Sequence, residues 1–181
     1  MGRPKALLPL DTGETFLTRI IRTFRAAEVD DLVIVVGHGA DAIARTLDNV
    51  TPPVRVVRNA DYERGQLSSL VAGLRAVDRP GVVAALVTLV DVPLVASSTV
   101  RAVVERYRAT RAKVVRPVSG ARHGHPIVID RSLFQALESA DPAIGAKPIV
   151  RAHVSAEGDV AVSDEGAFVD IDTPDDYARW K

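Results

Sequence analysis

The sequence predicts an α/β sandwich, with helices packed on both faces of a mostly parallel sheet, and three observations predict it. Short β-branched runs alternate with amphipathic stretches of helical period along the chain. Those runs are continuously apolar, as expected of strands buried on both faces. No linker, repeat or low-complexity segment interrupts the 181 residues, so 1–181 reads as a single domain.

The elements follow in order. From Thr15 to Glu28, Phe16, Leu17, Ile20, Ile21 and Phe24 share one helical face. Leu32 to Val36, closed by Gly37, is a buried strand; Ala40 to Leu47 is a short helix; Val54 to Val57 is a strand after the Thr51-Pro52-Pro53 break. Leu67, Leu70, Val71, Leu74 and Val77 form the stripe of a helix over Gln66 to Val77. Val82 to Val90 is the most apolar strand, and Ser97 to Tyr107 a helix with Ser97 or Ser98 as its N-cap. Lys113 to Arg116 and Pro126 to Ile129 are shorter strands around a turn-rich Ser119 to Gly124. Helices follow over Arg131 to Ser139 and Gly145 to His153, then a strand over Ala167 to Ile171 and a terminal helix from Pro174.

Composition narrows the function. With 23 basic and 23 acidic residues the chain has no net charge, which disfavours a nucleic-acid binder that works through a positive face. The absence of cysteine removes disulfides and thiolate metal sites and fits a cytoplasmic protein. No apolar run approaches the ~20 residues that cross a bilayer, and no basic-then-apolar leader opens the sequence.

Five segments carry candidate chemistry. In Met1-Gly2-Arg3-Pro4-Lys5, Gly2 permits close backbone approach and Arg3 and Lys5 offer cations to phosphate; a solvated basic segment is the plain alternative. Asp91 ends the most apolar strand, where a carboxylate is costly to desolvate unless it binds a cation such as Mg²⁺; a turn or cap Asp is the alternative. In Asp170-Ile171-Asp172-Thr173-Pro174, capping explains Asp175 and Asp176 better than Asp170 and Asp172, which alternation places on one face of a strand. Gly65 precedes a helix whose first turn carries Ser68 and Ser69, suited to a base edge or an anion. His123 and His125 lack a third ligand at recognisable spacing, so a pocket-facing histidine is favoured over zinc.

Together these segments resemble the MobA-like NTP transferases, and within them the molybdenum-cofactor cytidylyltransferases. Met1-Gly2-Arg3-Pro4-Lys5-Ala6-Leu7-Leu8-Pro9 is similar to the second half of the family's phosphate loop. Asn59-Ala60-Asp61-Tyr62 through Gly65-Gln66-Leu67-Ser68-Ser69 resembles its base-binding segment, and Leu89-Val90-Asp91-Val92-Pro93 its metal-binding strand end. His123-Gly124-His125-Pro126, Gly145-Ala146-Lys147 and Asp170-Ile171-Asp172-Thr173-Pro174 follow in the family's order.

The resemblance implies a Rossmann-like three-layer sandwich of the nucleotide-diphospho-sugar-transferase kind. It also implies Mg²⁺-dependent transfer of a nucleoside monophosphate, CMP from CTP, onto a phosphorylated acceptor such as molybdopterin. Lys5 and Arg3 would contact the triphosphate. Gly2, Gly65, Ser68 and Ser69 would bind nucleotide, His125 would face the acceptor, and Asp91 and Asp172 would hold the metal. Guanylyl or sugar-phosphate transfer, or a nucleotide-binding protein without catalysis, are the alternatives.

The sequence departs from the family pattern twice. The family's first strand and its Leu-Ala-Ala-Gly-x-Ser-x-Arg stretch are missing ahead of Met1, which predicts an N-terminally truncated domain with a gap between the strands at Leu32–Val36 and Val82–Val90. Val92 also stands where the cytidylyltransferase branch often has glutamine.

Overall fold

A computed structural model describes residues 4–180. Seven helices and seven strands are assigned among them: α1 Phe16–Ala26, β1 Val33–Val36, α2 Ala40–Leu47, β2 Arg55–Arg58, α3 Gln66–Val77, β3 Ala84–Val87, α4 Ser97–Thr110, β4 Val114–Ser119, β5 Arg122–His123, β6 Ile127–Asp130, α5 Phe134–Glu138, α6 Lys147–Ala152, β7 Asp159–Ala161 and α7 Pro174–Arg179.

The strands form two sheets. β1 and β2 pair in parallel, while β3, β6, β4 and β5 follow one another in a second sheet, with β7 joining β4. "Mostly parallel" therefore needs correction. β1–β2 and β4–β7 are parallel, but β3–β6, β6–β4 and β4–β5 are antiparallel. The turn-rich segment after β4 contains β5, which folds straight back on β4 (Val118 opposite His123), and a hairpin return makes neighbours antiparallel.

The three layers are visible in the alternation along β3. Ala85 and Val87 join Leu74 of α3, Ile129 of β6 and Leu137 of α5 on one face. Leu86 points oppositely, toward Ile20 and Phe24 of α1 and Val100 of α4. β1 behaves likewise: Ile34 and Val36 pack with Leu17, Ile21, Ile43 and Leu47, while Val35 faces α3, where a Cβ on Gly73 would lie 3.1 Å from it. Thus α1 lies across β1 and β3 on one face and α3 on the other, yet no ladder joins these strands. Among the described residues β1 pairs only with β2, and β3 only with β6.

Several predicted boundaries move. Of Val82 to Val90 only Ala84–Val87 is strand, and Ala167 to Ile171 is a 3-10 turn (Glu165–Phe168) running into extended chain without a ladder. Neither Ser97 nor Ser98 caps α4. Its N-cap is Ala96, whose N–H donates to Asp164 Oδ2 at 2.8 Å, and Thr99 Oγ1 donates to the same oxygen at 2.7 Å. A carboxylate 68 positions away thus serves the helix dipole, which no local spacing could disclose. At α1 and α7 the capping is local: Thr15 with Thr18, and Thr173 with Asp176, form reciprocal boxes.

The chain's two ends meet. Leu8, Leu10 and Phe16 pack against Ile171, with Leu94, Val169 and Tyr177 around them. Tyr177 donates to the Pro9 carbonyl at 2.5 Å and its ring lies 5.9 Å from that of Phe16.

Candidate functional site

That joined core brings the opening segment to the far end of the sequence. Lys5 begins a 3-10 turn, Lys5–Leu7, whose Ala6 is buried in the α1–β1–α2 core, so the Lys5 ammonium is left to point outward. Its Nζ donates to Asp172 Oδ1 at 2.5 Å and lies 3.8 Å from Asp91 Oδ2. Asp170 and Asp172 are both exposed, flanking Ile171, which is fully buried and donates its N–H to the Asp91 carbonyl at 2.8 Å. The expected alternation survives, although the segment is not a strand.

Asp91 stands just past the carboxyl end of β3, between a Leu89–Val92 turn and buried Val92 and Pro93. Its Oδ1 is buried without a hydrogen-bond partner. Burial pushes its carboxyl above the ordinary carboxylate range. The ammonium of Lys5 opposes that rise, and the charges of Asp170 and Asp172 add to it.

His125 is held by its backbone N–H, which donates to the Ala167 carbonyl at 2.9 Å. Burial pushes its imidazole below the usual histidine range, against the Val87 carbonyl and the negative Asp170 and Asp91, and its Nδ1 is buried without a partner. Thr88 Oγ1, immediately after β3, is a third such atom. Three buried polar atoms without partners therefore belong to residues around one strand end, and such atoms are uncommon unless a ligand uses them. Thr88 carries no signal in the sequence, being one threonine inside an apolar run.

A second cluster occupies the carboxyl end of β2. Asn59, 8% exposed, donates through Nδ2 to Ser68 Oγ at 2.8 Å and Ser69 Oγ at 3.0 Å, and accepts from the Asp61 N–H at 3.0 Å. Ser68 Oγ lies 2.9 Å from the Asp61 carbonyl and 2.8 Å from that of Gly65, so its single proton is committed to the loop. Ser69 accepts from Asn59 and keeps its own proton to donate. Gly65 adopts φ 96°, a conformation that side chains resist, and open space surrounds its missing Cβ. Beside them a cleft is lined by Asn59, Asp61, Arg64, Leu67, Ser68 and Val71. Asn59 is the organiser here; its signal was a lone amide directly after a strand.

The clusters are linked through β1. The Asn59 N–H donates to the Val36 carbonyl at 2.8 Å, and a Cβ on Gly39, just after β1, would lie 2.9 Å from Pro4 Cγ. Lys5, Asp91, Asp172, His125, Gly65, Ser68 and Ser69 are thus all described, the first four around β3 and the rest around β2; Gly2 and Arg3 lie outside the described residues.

The donor set suits a divalent cation. Asp91 offers a buried unshared oxygen, Asp172 an exposed one, and an ammonium already stands as a cation between them. Among the described residues no three His, Asp or Glu side chains converge to enclose a metal by themselves. Two carboxylates completed by substrate phosphates is the arrangement Mg²⁺ favours. Also among the described residues, no helix is long and apolar enough to cross a membrane.

The model of the MobA-like NTP transferase domain matches residues 1–157. The chain is 32% identical over 186 aligned positions to nicotine blue oxidoreductase of Paenarthrobacter nicotinovorans, covering 99% of this chain and 89% of that protein. It is 24% identical over 183 positions to the molybdenum cofactor cytidylyltransferase of Escherichia coli K12, covering 100% and 88%. It is also similar to the crystal structure of Rv0371c from Mycobacterium tuberculosis H37Rv in complex with manganese, with TM-score 0.79 and 29% identity over 99% of this chain and 92% of that one. The chain belongs to the MobA-like NTP transferase family.

Proposed function

We propose that this chain transfers CMP from CTP to a phosphorylated acceptor of the molybdopterin type, in the cytoplasm and with Mg²⁺. The observation that carries the reading is the pairing of Asp91 with Asp172 around Lys5 at the end of β3. An acceptor phosphate oxygen attacks the α-phosphorus, the bond from that phosphorus to the β-phosphate bridging oxygen breaks, and pyrophosphate leaves with the electron pair. Mg²⁺ on Asp91 and Asp172 would offset charge on the phosphates. Lys5, with Arg3 beside it in sequence, takes up the charge of the departing pyrophosphate. Ser69 donates to the base, while Asn59 and Ser68 fix the Gly65 turn that presents α3. His125, neutral because buried, offers a lone pair or N–H to the acceptor without adding charge.

The test is nucleotide binding by the purified chain, comparing CTP, GTP and UTP with and without Mg²⁺. A Mg²⁺-dependent preference for CTP is expected. A preference for GTP would move the assignment to guanylyl transfer, and no binding of any of the three would remove the transferase reading. One second reading has a specific support, the 32% identity to an oxidoreductase. Reduction of a dye by an added electron donor, without any nucleotide transfer, would favour it.

A further inference from the structure

We propose that Lys5 is a resident counter-cation that keeps the metal cradle shut until nucleotide arrives; this rests on the nucleotidyl-transfer reading and adds a binding order to it. The Lys5 ammonium bonds Asp172 Oδ1 at 2.5 Å and stands 3.8 Å from Asp91 Oδ2, so it sits at both carboxylates the divalent cation needs. Those side chains come from positions 5, 91 and 172, and each is fixed by its own anchor. Ala6 is in one core, Ile171 is fully buried in another, and Val92 is fully buried. The backbones that carry the three charges are therefore held together by the fold, and the exposed Lys5–Asp172 pair forms at that junction.

A divalent ion on the remaining oxygens, Asp91 Oδ1 among them, would share the same two carboxylates with the ammonium, and like charges so close repel. Leaving the carboxylates empty is also unfavourable: Asp91 is 23% exposed, its Oδ1 has no partner, and Asp170 and Asp172 add negative charge beside it. Lys5 thus substitutes for the metal in the free protein. A triphosphate changes the balance, because it supplies the ammonium with new anionic partners and the metal with further oxygens. Lys5 then leaves the carboxylates for the phosphates as the cation takes its place. Metal and nucleotide enter together, and binding of the metal alone is weak.

Mn²⁺ provides the probe, read by the electron paramagnetic resonance of the free ion without nucleotide. Replacing Lys5 by Met removes the competitor while keeping the stem, so Lys5→Met is expected to bind Mn²⁺ on the order of tenfold more tightly than the wild type, within the usual range of coupling between ligands. Lys5→Arg retains the cation and is expected to stay as weak as the wild type. Adding Asp172→Asn to Lys5→Met is expected to abolish the gain. Equal or weaker Mn²⁺ binding by Lys5→Met, with an unchanged urea midpoint, overturns the proposal; so does undetectable binding by both proteins. A separate arm with CTP present tests the underlying reading. Mn²⁺ retained with the wild type on ultrafiltration only when CTP is present, above a protein-free CTP control, upholds both proposals. Tight uptake without nucleotide refutes the counter-cation role while leaving the transferase intact.

Discussion

Gly124 precedes His125 and passes under the segment that carries Asp170 and Asp172. A Cβ on Gly124 would lie 2.2 Å from the Ala167 carbonyl oxygen and 2.9 Å from both the Ala167 carbonyl carbon and Phe168 Cδ1. Real Cβ atoms do not approach within 3.0 Å, so Gly124→Ala forces one backbone off the other. Retreat is blocked on one side, because Ala167 is 1% exposed and packed with Ile20, Phe24, Val95 and Val100. On the other side, Gly124 donates to the Pro117 carbonyl at 3.0 Å and His125 to the Ala167 carbonyl at 2.9 Å. Overpacking costs about 1–3 kcal/mol, and an opened buried backbone bond about 1–3 kcal/mol more. Gly124→Ala should therefore lose about 2–6 kcal/mol in a urea titration, a large part of the ~5–15 kcal/mol that holds a domain together. The control is Gly120→Ala, at φ 59° with nothing within 4 Å of the added carbon. It meets only the left-handed backbone penalty, about 1 kcal/mol. A Gly124→Ala loss no greater than that of Gly120→Ala would refute the steric reasoning.

Three further outcomes follow from the same contacts. Asn59→Ala removes the amide that ties Ser68, Ser69 and the Asp61 N–H together, and should cost about 1–3 kcal/mol in stability and raise the nucleotide dissociation constant, measured by titration calorimetry. Asp164→Ala leaves the Ala96 N–H, the Thr99 hydroxyl and the Gly166 N–H without their acceptor, and should lower the unfolding free energy by about 2 kcal/mol with little effect on nucleotide affinity. At Asp130, burial raises the carboxyl's pKa, but hydrogen bonds from Tyr107 and Ser132 outweigh it and leave it below the ordinary value. A depressed carboxyl binds fewer protons folded than unfolded. Its stabilisation is complete above the unfolded value of about 3.9 and fades as pH falls through the folded one. Asp130→Asn should flatten the acid limb of stability against pH, read by thermal melts between about pH 2 and 6.

Most elements were legible because each is a local pattern. The five-residue stripe of α1 follows a period of 3.6 residues, and β1 is an unbroken β-branched run, half-buried except for buried Val36. The sequence offered Thr173 or Asp172 as the cap of the terminal helix, and the structure uses Thr173, in a reciprocal box with Asp176. The candidate residues were legible through resemblance, which drew attention to Lys5, Asp91 and Asp172 although they are far apart in the chain.

What the sequence alone could not supply was anything that depends on which segments become neighbours. It placed carboxylates at two strand-like ends, but only the packing of Leu8, Leu10 and Phe16 on Ile171 brings Lys5 to within 2.5 Å of Asp172. It suggested Ser97 or Ser98 as a cap, whereas the fold delivers Asp164 to that helix from another segment. It implied parallel strands, whereas β5 turns the second sheet back on itself. The sequence determined the elements and the residue types available for chemistry, because propensity and burial period act over a few residues. Tertiary structure decided which charges share a site and which polar atoms are left without partners, because those follow from contacts between distant segments, 167 positions apart for Lys5 and Asp172.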